Sequence, residues 1–503
     1  MKNISKTIKK QEFLLAFIFS FILLSLIIIG RVGPEYDELI PVNAALNCPT
    51  SIFLVYAKRI GSQCLPIMLS SYIGGLVALP YKISFLLLPP SLQVFRLTNV
   101  IISTISIILI FYSVKKLTNN KIASLAIFFL VFDIQFLLTG QISPITTVPF
   151  FLRSLFIYIF SILRENRLKY FLLGLLAGLA FYTKLDAFFV FFPVFISIIF
   201  FSGKTYNKYK KIFYGVFGST IGALPLIIYT IKTYEQTQIF SLASSLSNNY
   251  QSVIGYKIYQ YIFQLISPDW FSYFFDKNFS IPIFIKILAV FISIILIYSS
   301  IKLLSLNKFK WLGTSFLIFL IFYLFFRGLI LPHHRFNIYP IPQIILAFSF
   351  LVIKNKKMLF TIIFVYLILF AYSFNTFMSI TKTNCGRKSA SCEIFSLYGQ
   401  LKDEKETIVI GDWGISTQLL LLSAGKLNIR EASYILNTST YEETVEYLKP
   451  FLTSCSPIVL HKPEQVFFSY ANENVEKVIE KYPQYKLKKL EGIEYQIFTC
   501  KDY

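Results

Sequence analysis

Apolar residues fill this chain in long runs that are separated by short polar stretches. A membrane-spanning helix needs roughly 20 mostly apolar residues, and about eleven runs approach that length. These runs lie at about 12–30, 94–114, 121–139, 148–163, 169–184, 185–202, 212–231, 281–303, 311–331, 337–353 and 357–378. A turn is expected at Lys184–Asp186, where charged residues interrupt one apolar block. The pattern predicts an α-helical polytopic membrane protein.

The polar stretches between the runs alternate in charge. Lys and Arg accumulate in every second stretch, which is typical of cytoplasmic loops: 114–121, 164–169, 203–211, 302–310 and 354–357. The intervening stretches, including the large loops 31–93 and 232–280, are then extracytoplasmic. The first run is too long for the apolar core of a signal peptide. We therefore expect an uncleaved first helix, a cytoplasmic N-terminus and an extracytoplasmic C-terminus in the inner or plasma membrane.

The cysteines provide an independent test of this topology. All six lie in predicted extracytoplasmic segments, where disulfides persist. The simplest pairing is Cys48–Cys64, Cys385–Cys392 and Cys455–Cys500, although six cysteines allow 15 connectivities. A metal site is the competing interpretation. The chain has no CxxC sequence and only three histidines, so we expect no metal.

The composition changes after residue 380, which divides the chain into a transmembrane domain, 1–380, and a soluble extracytoplasmic α/β domain, 381–503. Predicted strands in KETIVIG, SPIVLHK and IEYQIFTC alternate with helices in GISTQLLLLSAGK, STYEETVEYLKPFL and the stretch after Pro463. The soluble segment is long enough for a core of its own. Stretches 43–61 and 70–90 of the first loop resemble interfacial helices.

The charge balance is strongly basic, with 48 Lys and Arg against 26 Asp and Glu and a net charge of +22. In a soluble protein such an excess indicates nucleic acid. Here the basic residues follow the cytoplasmic loops, and no nucleic-acid-binding motif accompanies them. We therefore expect membrane lipids, and no nucleic acid, among the partners.

Three acids, Glu35, Asp37 and Glu38, follow the first apolar run. A solvated acid cluster at a helix exit is the simplest interpretation. The alternative is a general base beneath the outer headgroups, because a carboxyl group near apolar surface has a raised proton affinity. Spacing alone favours the first interpretation.

Four stretches, in order along the chain, favour the general base over the solvated cluster. GPEYDELIPVNAAL follows the first helix, FRLTN opens the second span, GLLAGLAFYTKLDAF ends in a Thr-Lys pair, and LPHHRFNIYPIP precedes a late span. Together they resemble the C-type (GT-C) membrane glycosyltransferase superfamily, in the branch of protein mannosyltransferases and aminoarabinose transferases. The resemblance covers most of 1–380.

The resemblance implies an inverting glycosyltransferase that moves a sugar from a polyprenyl-phosphate donor to an acceptor hydroxyl outside the cell. The acceptor is a lipid, a glycan or a protein. The family's base corresponds to Asp37, with Glu38 assisting or orienting it, while Glu35 is assigned to solvated surface. The departing lipid phosphate calls for fixed positive charge, for which the candidates are Lys58, Arg59, Lys184, His333, His334 and Arg335. Each of these also suits simple headgroup contact.

One feature departs from the family pattern. Some relatives carry a second acid at the entry to the fourth span, where this chain reads GQISPITTVPF. Asp133 precedes that entry. Asp269 and Asp276 are candidate substitutes from the other large loop, although Asp269 suits the cap of a turn equally well. Asp186 is a further candidate for the acceptor site, with an ion pair to Lys184 as its alternative. We expect no required cofactor, since a monophosphate leaving group needs only cationic side chains, whereas a diphosphate donor would call for a divalent cation.

Two further alternatives stay open. Asp412 in GDWG resembles a ligand-binding sheet edge, but we favour an N-cap for the following helix. A transporter or flippase of lipid-linked sugars, or an oligosaccharide ligase, would have a similar apolar layout. The transporter would need more charges in mid-span.

Overall fold

The computed structural model is mostly helical. It describes residues 12–48, 55–142, 144–184, 187, 191, 193–197, 208–237, 258–259, 261–262, 271, 275, 280–325, 336–386, 390–436, 439–465, 469–488 and 494–500. The larger helices up to residue 380 are α1 (Glu12–Ile28), α2 (Val42–Ala45), α3 (Leu79–Leu87), α4 (Leu92–Leu117), α5 (Asn120–Val131), α6 (Ile134–Ile142), α7 (Pro144–Ile162), α8 (Arg167–Thr183), α9 (Lys208–Gly222), α10 (Leu224–Thr237), α11 (Ile283–Leu304), α12 (Lys310–Phe325), α13 (Ile341–Val352) and α14 (Lys356–Ile380).

Four of these helices are long and apolar enough to cross a membrane: α4, α7, α11 and α14. Two bent pairs, α5 with α6 and α9 with α10, raise the number to six if each pair forms one span. The chain is therefore an integral membrane protein. The count of eleven spans stays a prediction, and the predicted span 185–202 lies largely outside the described residues.

The chain divides into two compact units. The helical unit comprises Met1–Ile29, Ser70–Val77 and Leu97–Ser379, and the sheet unit comprises Gly30–Leu69, Ala78–Arg96 and Ile380–Tyr503. The domain division at 380 stays a prediction.

The predicted span 121–139 is broken in the structure. Helices α5 and α6 meet at an angle of 66°, and Asp133 lies at the break. Its carboxylate accepts hydrogen bonds from the Phe136 amide (3.1 Å), the Tyr339 hydroxyl (2.9 Å) and the Gln343 amide (2.8 Å). A buried carboxylate is tolerated only with such partners. Asp133 therefore has a structural role in the helical unit.

Helices α8 and α9 approach closely through glycines. A Cβ atom on Gly178 would lie 2.1 Å from the Ser219 carbonyl oxygen, and one on Gly218 would lie 2.1 Å from the Phe171 carbonyl oxygen. Small residues let helix backbones approach in a lipid environment, where the packing of the chains supplies the attraction. The Gly-rich stretch GLLAGLAFYT is thus a packing surface. Helix α8 ends at Thr183, and residues 185 and 186 of the predicted turn at Lys184–Asp186 lie outside the described residues.

The segment 31–93 contains a β-hairpin where we expected an interfacial helix. Strands β1 (Tyr56–Ile60) and β2 (Gln63–Met68) pair antiparallel across a tight turn, and the prediction of a helix over 43–61 is wrong there. Gly61 occupies the left-handed region at φ 60°, which suits a hairpin turn. The Cys48–Cys64 disulfide ties β2 to the end of α2. The second predicted helix is present as α3.

The C-terminal region forms a five-stranded sheet in the order β4-β3-β5-β7-β6. Its strands and helices follow the predicted alternation, with β4, β6, α15 and α17 in addition: α15 (Ile394–Leu401), β3 (Ile408–Ile410), α16 (Ser416–Leu422), β4 (Ile429–Glu431), α17 (Ser433–Leu436), α18 (Tyr441–Thr453), β5 (Ile458–His461), α19 (Ser469–Ile479), β6 (Lys486–Lys488) and β7 (Tyr495–Thr499). Strands β4, β3 and β5 are parallel, and β7 runs antiparallel to β5 and β6.

The two faces of this sheet have different partners. Val409 and Ile458 face a cluster formed by α17, α18 and α19. Ile408 and Ile410 face a second cluster, which contains Leu39, Val42, Tyr81 and Phe95 from the first 96 residues. One face of the sheet therefore packs on a core of the C-terminal region itself, whereas the other face shares its core with residues 39–95. The Cys385–Cys392 and Cys455–Cys500 disulfides complete the three predicted pairs.

The substitution Gly218→Ala tests the glycine contact. The new methyl group would overlap the Phe171 carbonyl group, so we expect a loss of about 1–3 kcal/mol, the usual cost of overpacking, seen as a lower apparent Tm in detergent. Gly399→Ala is the matched control, because a Cβ there meets nothing within 4 Å. Equal stability of the two variants would contradict the close packing of α8 on α9.

Candidate active site

The acid motif forms a tight, internally bonded turn. The Glu38 amide donates to the Glu35 carboxylate at 2.7 Å, and the Glu35 amide donates to the Glu38 carboxylate at 3.2 Å. A short 3-10 helix covers Asp37–Leu39. Each of these two carboxylates thus accepts a hydrogen bond from the backbone amide of the other acid, and this fixes the shape of the turn between them.

Arg96 anchors this turn from near the start of α4. Its Nε donates to Oε1 of Glu38 and its Nη2 to Oε2, both at 2.7 Å. Nη1 and Nη2 also donate to the carbonyl oxygens of Val32 and Gly33 at 2.8 Å. Arg96 and Glu38 are fully buried. The planar guanidinium matches the carboxylate and two carbonyls at once, a geometry that lysine cannot supply.

Burial and the ion pair shift the pKa of Glu38 in opposite directions. Burial raises the pKa of the Glu38 carboxyl, and the Arg96 guanidinium and the hydrogen bonds oppose that rise. A buried ion pair with this geometry contributes little net stability, but removal of one partner leaves an uncompensated buried charge. Glu38 is therefore a structural member of the site.

The three acids of the motif differ in exposure. Glu35 is 4% exposed and Glu38 is not exposed at all, whereas Asp37 between them is only half-buried. The assignment of Glu35 to solvated surface is wrong, because its carboxylate holds the Glu38 amide. Asp37 is therefore the most exposed of the three acids.

The C-terminal sheet contacts the other side of the same turn. The rings of Tyr36 and Trp413 meet edge to face with centroids 4.4 Å apart. The Gln418 side chain donates to the Pro34 carbonyl oxygen at 3.0 Å, and the Thr417 hydroxyl donates to that of Tyr36 at 3.4 Å. The acid turn is thus held from both sides within the sheet unit.

Gly33 lies at the closest point of that packing. Its amide donates to the Cys385 carbonyl oxygen at 2.7 Å. A Cβ atom at this position would lie 2.4 Å from the Ala390 carbonyl oxygen, so only glycine fits. The Cys385–Cys392 disulfide therefore closes a loop directly against the acid motif.

The candidate cations are distributed over both units. Lys58 and Arg59 are exposed on β1 of the hairpin. Lys184 is buried at the end of α8, where its backbone bridges to Ile73. His333, His334, Arg335, Asp186, Asp269 and Asp276 lie outside the described residues.

The segment that follows Arg335 is firmly held in the helical unit. Arg153 donates from Nε to the Tyr339 carbonyl oxygen at 2.8 Å and from Nη2 to that of Phe336 at 3.1 Å. The Tyr339 hydroxyl bonds to Asp133. The stretch FNIYP therefore has a defined position, set by two buried ionisable residues.

Sequence reasoning missed Arg96 and misplaced Asp412. The signal for Arg96 was present, since FRLTN places an arginine at the start of an apolar helix, where an ionisable residue needs a partner. The predicted N-cap role of Asp412 is wrong, because Ile415 is the N-cap of α16. Asp412 instead pairs with His461, a contact between residues 49 positions apart.

Substitutions on the two sides of the ion pair test its structural role. We expect Glu38→Gln and Arg96→Met each to lower stability by about 3–5 kcal/mol, because each leaves a buried charge without its partner. The double variant Glu38→Leu with Arg96→Met should cost less than the two single changes together. Thermal unfolding of the purified protein in detergent measures all three.

Asp37→Asn is the control for these variants. Since Asp37 is half-buried and lies outside the ion pair, we expect its apparent Tm to stay near that of the wild type. The pairing would be contradicted if the stability losses of the Glu38 and Arg96 variants added up in the double variant. It would also be contradicted if Asp37→Asn lost as much stability as either of them.

Comparison with known proteins identifies the fold. Residues 76–229 match the family model described as dolichyl-phosphate-mannose-protein mannosyltransferase. No curated protein sequence matches the chain.

Two solved structures are similar over nearly the whole chain. ArnT from Cupriavidus metallidurans, determined with undecaprenyl phosphate bound, has a TM-score of 0.65 at 9% identity, covering 97% of this chain and 98% of ArnT. The oligosaccharyltransferase AglB from Archaeoglobus fulgidus, in complex with an inhibitory peptide and a dolichol-phosphate, has a TM-score of 0.52 at 12% identity, covering 98% and 75%. These matches confirm that the chain resembles the C-type glycosyltransferase superfamily and shares its fold.

Proposed function

We propose that this protein is an inverting glycosyltransferase that moves a sugar from a polyprenyl-phosphate donor to an acceptor hydroxyl. The observation that carries the proposal is the difference in burial among the three acids: the buried carboxylates of Glu35 and Glu38 hold the turn, and Asp37 between them stays partly exposed. Support comes from the fold, since ArnT was determined with undecaprenyl phosphate and AglB with a dolichol-phosphate. The acceptor is a lipid, a glycan or a protein.

Asp37 is the proposed general base. An acceptor hydroxyl has a high pKa, so it needs a positioned carboxylate to take its proton as its oxygen attacks the anomeric carbon. Attack on the face opposite the leaving group inverts that centre. The proton passes to Asp37, and the bond between the sugar and the phosphate oxygen breaks. Glu38 orients Asp37 through the turn, and Asp186 or Asp269 would act as a second acid toward the acceptor.

The leaving group departs as a lipid phosphate anion and needs fixed positive charge. We assign this role to Lys184 and Arg335, together with Lys58, Arg59 and His334. Lys184 is a buried cation at a helix end, where an ionisable group is a functional candidate by default. The proposed reaction needs no cofactor, because these cations suffice for a monophosphate. A diphosphate donor would call for a divalent cation.

The proposed topology has eleven spans in the inner or plasma membrane, a cytoplasmic N-terminus and the C-terminal region outside. The acid turn and all three disulfides belong to the sheet unit. Disulfides persist in an oxidising compartment. The reaction is therefore proposed to occur on the extracytoplasmic face.

The variant Asp37→Asn tests the chemistry. It keeps the size of the side chain but removes the base, so we expect kcat to fall by about 10²–10⁴-fold with little change in the KM for the donor. Transfer of a radiolabelled sugar from polyprenyl phosphate, in reconstituted vesicles, gives both constants. Asp403→Asn, at an exposed acid of the same unit, is the control and should keep the wild-type rate.

Two outcomes of this assay would contradict the proposal. Near wild-type transfer by Asp37→Asn would remove the base assignment. If the labelled donor crosses the vesicle membrane without being consumed, the protein is a transporter of lipid-linked sugars.

Thiol labelling tests the proposed face. In sealed right-side-out vesicles, an impermeant maleimide should label the six native cysteines only after treatment with an impermeant reductant. A cysteine introduced by Ser305→Cys, in an exposed loop predicted to be cytoplasmic, should react only after the vesicles are opened. The reverse pattern would place the sheet unit on the cytoplasmic side.

A further inference from the structure

Three polar residues meet at one edge of the C-terminal sheet; two of them, Asp412 and His461, are buried, and Glu431 is half-buried. Glu431 ends β4, His461 ends β5, and Asp412 follows the end of β3. These strands are parallel, so their carboxyl ends meet at the same edge. Nδ1 of His461 lies 2.7 Å from Oδ2 of Asp412, and neither residue is exposed.

The ionisable side chains at this edge lie close enough together to affect one another. The Glu431 carboxylate accepts a hydrogen bond from the Ser433 amide at 3.1 Å. Burial raises the pKa of Glu431 to about 7. The hydrogen bonds from Ser433 oppose that rise, and the Asp412 charge adds to it. Such groups are costly to bury unless they are paired, so the cluster holds this part of the chain in one arrangement.

Asp412 also fixes the backbone of Trp413. Its second oxygen, Oδ1, accepts a hydrogen bond from the Trp413 amide at 2.8 Å. Gly414 follows at φ 98°, a backbone conformation that favours glycine. The chain therefore turns sharply between β3 and α16, and the turn directs the indole of Trp413 onto the ring of Tyr36.

The next turn of chain adds two contacts to the same loop. Thr417 and Gln418, at the start of α16, donate to the carbonyl oxygens of Tyr36 and Pro34. These carbonyls flank Glu35 and lie directly before Asp37. Three contacts from one sheet edge thus fix the segment that carries the proposed base.

We infer that the Asp412–His461 pair and Trp413 are positioning residues for Asp37, so that the C-terminal sheet is a working part of the active site. The inference rests on the proposed function. These residues act on the reaction through Tyr36 and the acid turn. A base displaced by about 1 Å loses on the order of 10²-fold in rate, so support of this kind has a measurable effect.

The first test is kinetic. We expect Trp413→Ala to lower kcat by about 10-fold or more with the donor KM nearly unchanged, and Trp413→Phe, which keeps an aromatic ring, to restore most of the rate. Tyr447→Ala is the matched control. It removes an aromatic pair with Phe451 in the same unit and should keep the wild-type kcat.

A double-variant cycle separates positioning from a general effect on folding. If Trp413 acts through Asp37, then Trp413→Ala should cost little further rate in the Asp37→Asn background. If the rate losses of Trp413→Ala and Asp37→Asn multiply in the double variant, the inference is overturned. If Asp37→Asn is inactive but Trp413→Ala keeps the wild-type kcat, the inference fails while the proposed base stands.

The second test needs no activity. Amide hydrogen exchange of the peptide 31–40 reports the order of the acid turn directly. We expect exchange there at least about 10-fold faster in Trp413→Ala and His461→Leu, and near the wild-type rate in Tyr447→Ala. His461→Asn, which keeps a donor near Nδ1, should restore protection. Unchanged exchange of 31–40 in both disruptive variants would overturn the inference even if the proposed reaction proved wrong.

Discussion

The buried pair of Arg96 and Glu38 is the constraint on which the acid turn depends. One guanidinium binds a carboxylate with two nitrogens and two backbone carbonyl oxygens as well. Since the pair is fully buried, neither partner can be lost without leaving a charge in an apolar core. The pair therefore fixes the path of the chain from Val32 to Glu38, and with it the position of Asp37. Its value lies in specifying one geometry more than in adding stability.

The sheet unit unites parts of the chain that are hundreds of residues apart. Leu39, Val42 and Phe95 share a core with strands β3, β5 and β7, and the Gln418 side chain donates to a carbonyl 384 positions earlier. One face of the sheet would otherwise be exposed and apolar. Without the sheet, the acid turn would also lack its packing partners on one side. Each segment thus covers the surface that the other leaves open, which explains why the C-terminal region is more than an appended domain.

The helical unit uses two different means of packing. Glycines let α8 and α9 approach to backbone contact, which suits an environment where apolar side chains gain little from leaving lipid. At the break between α5 and α6, Asp133 collects donors from Tyr339 and Gln343. The broken helix exposes backbone and charge that need internal partners. This network, together with Arg153, sets the segment after the candidate phosphate-binding residues His334 and Arg335.

Much of this protein follows from its sequence. Apolar runs of sufficient length predict membrane helices, and short apolar runs that end in turn residues predict the strands around Ile408, Ile458 and Tyr495. The cysteine positions predict the three disulfides. These patterns depend only on neighbours along the chain. The order of four short motifs singled out Asp37. The burial of Glu35, the strand at Tyr56–Ile60, the partner of Arg96 and the pairing of Asp412 with His461 were decided by the tertiary structure alone. Each of these depends on which distant group fills the space beside a residue, and a buried charge adopts whichever partner the fold brings within reach.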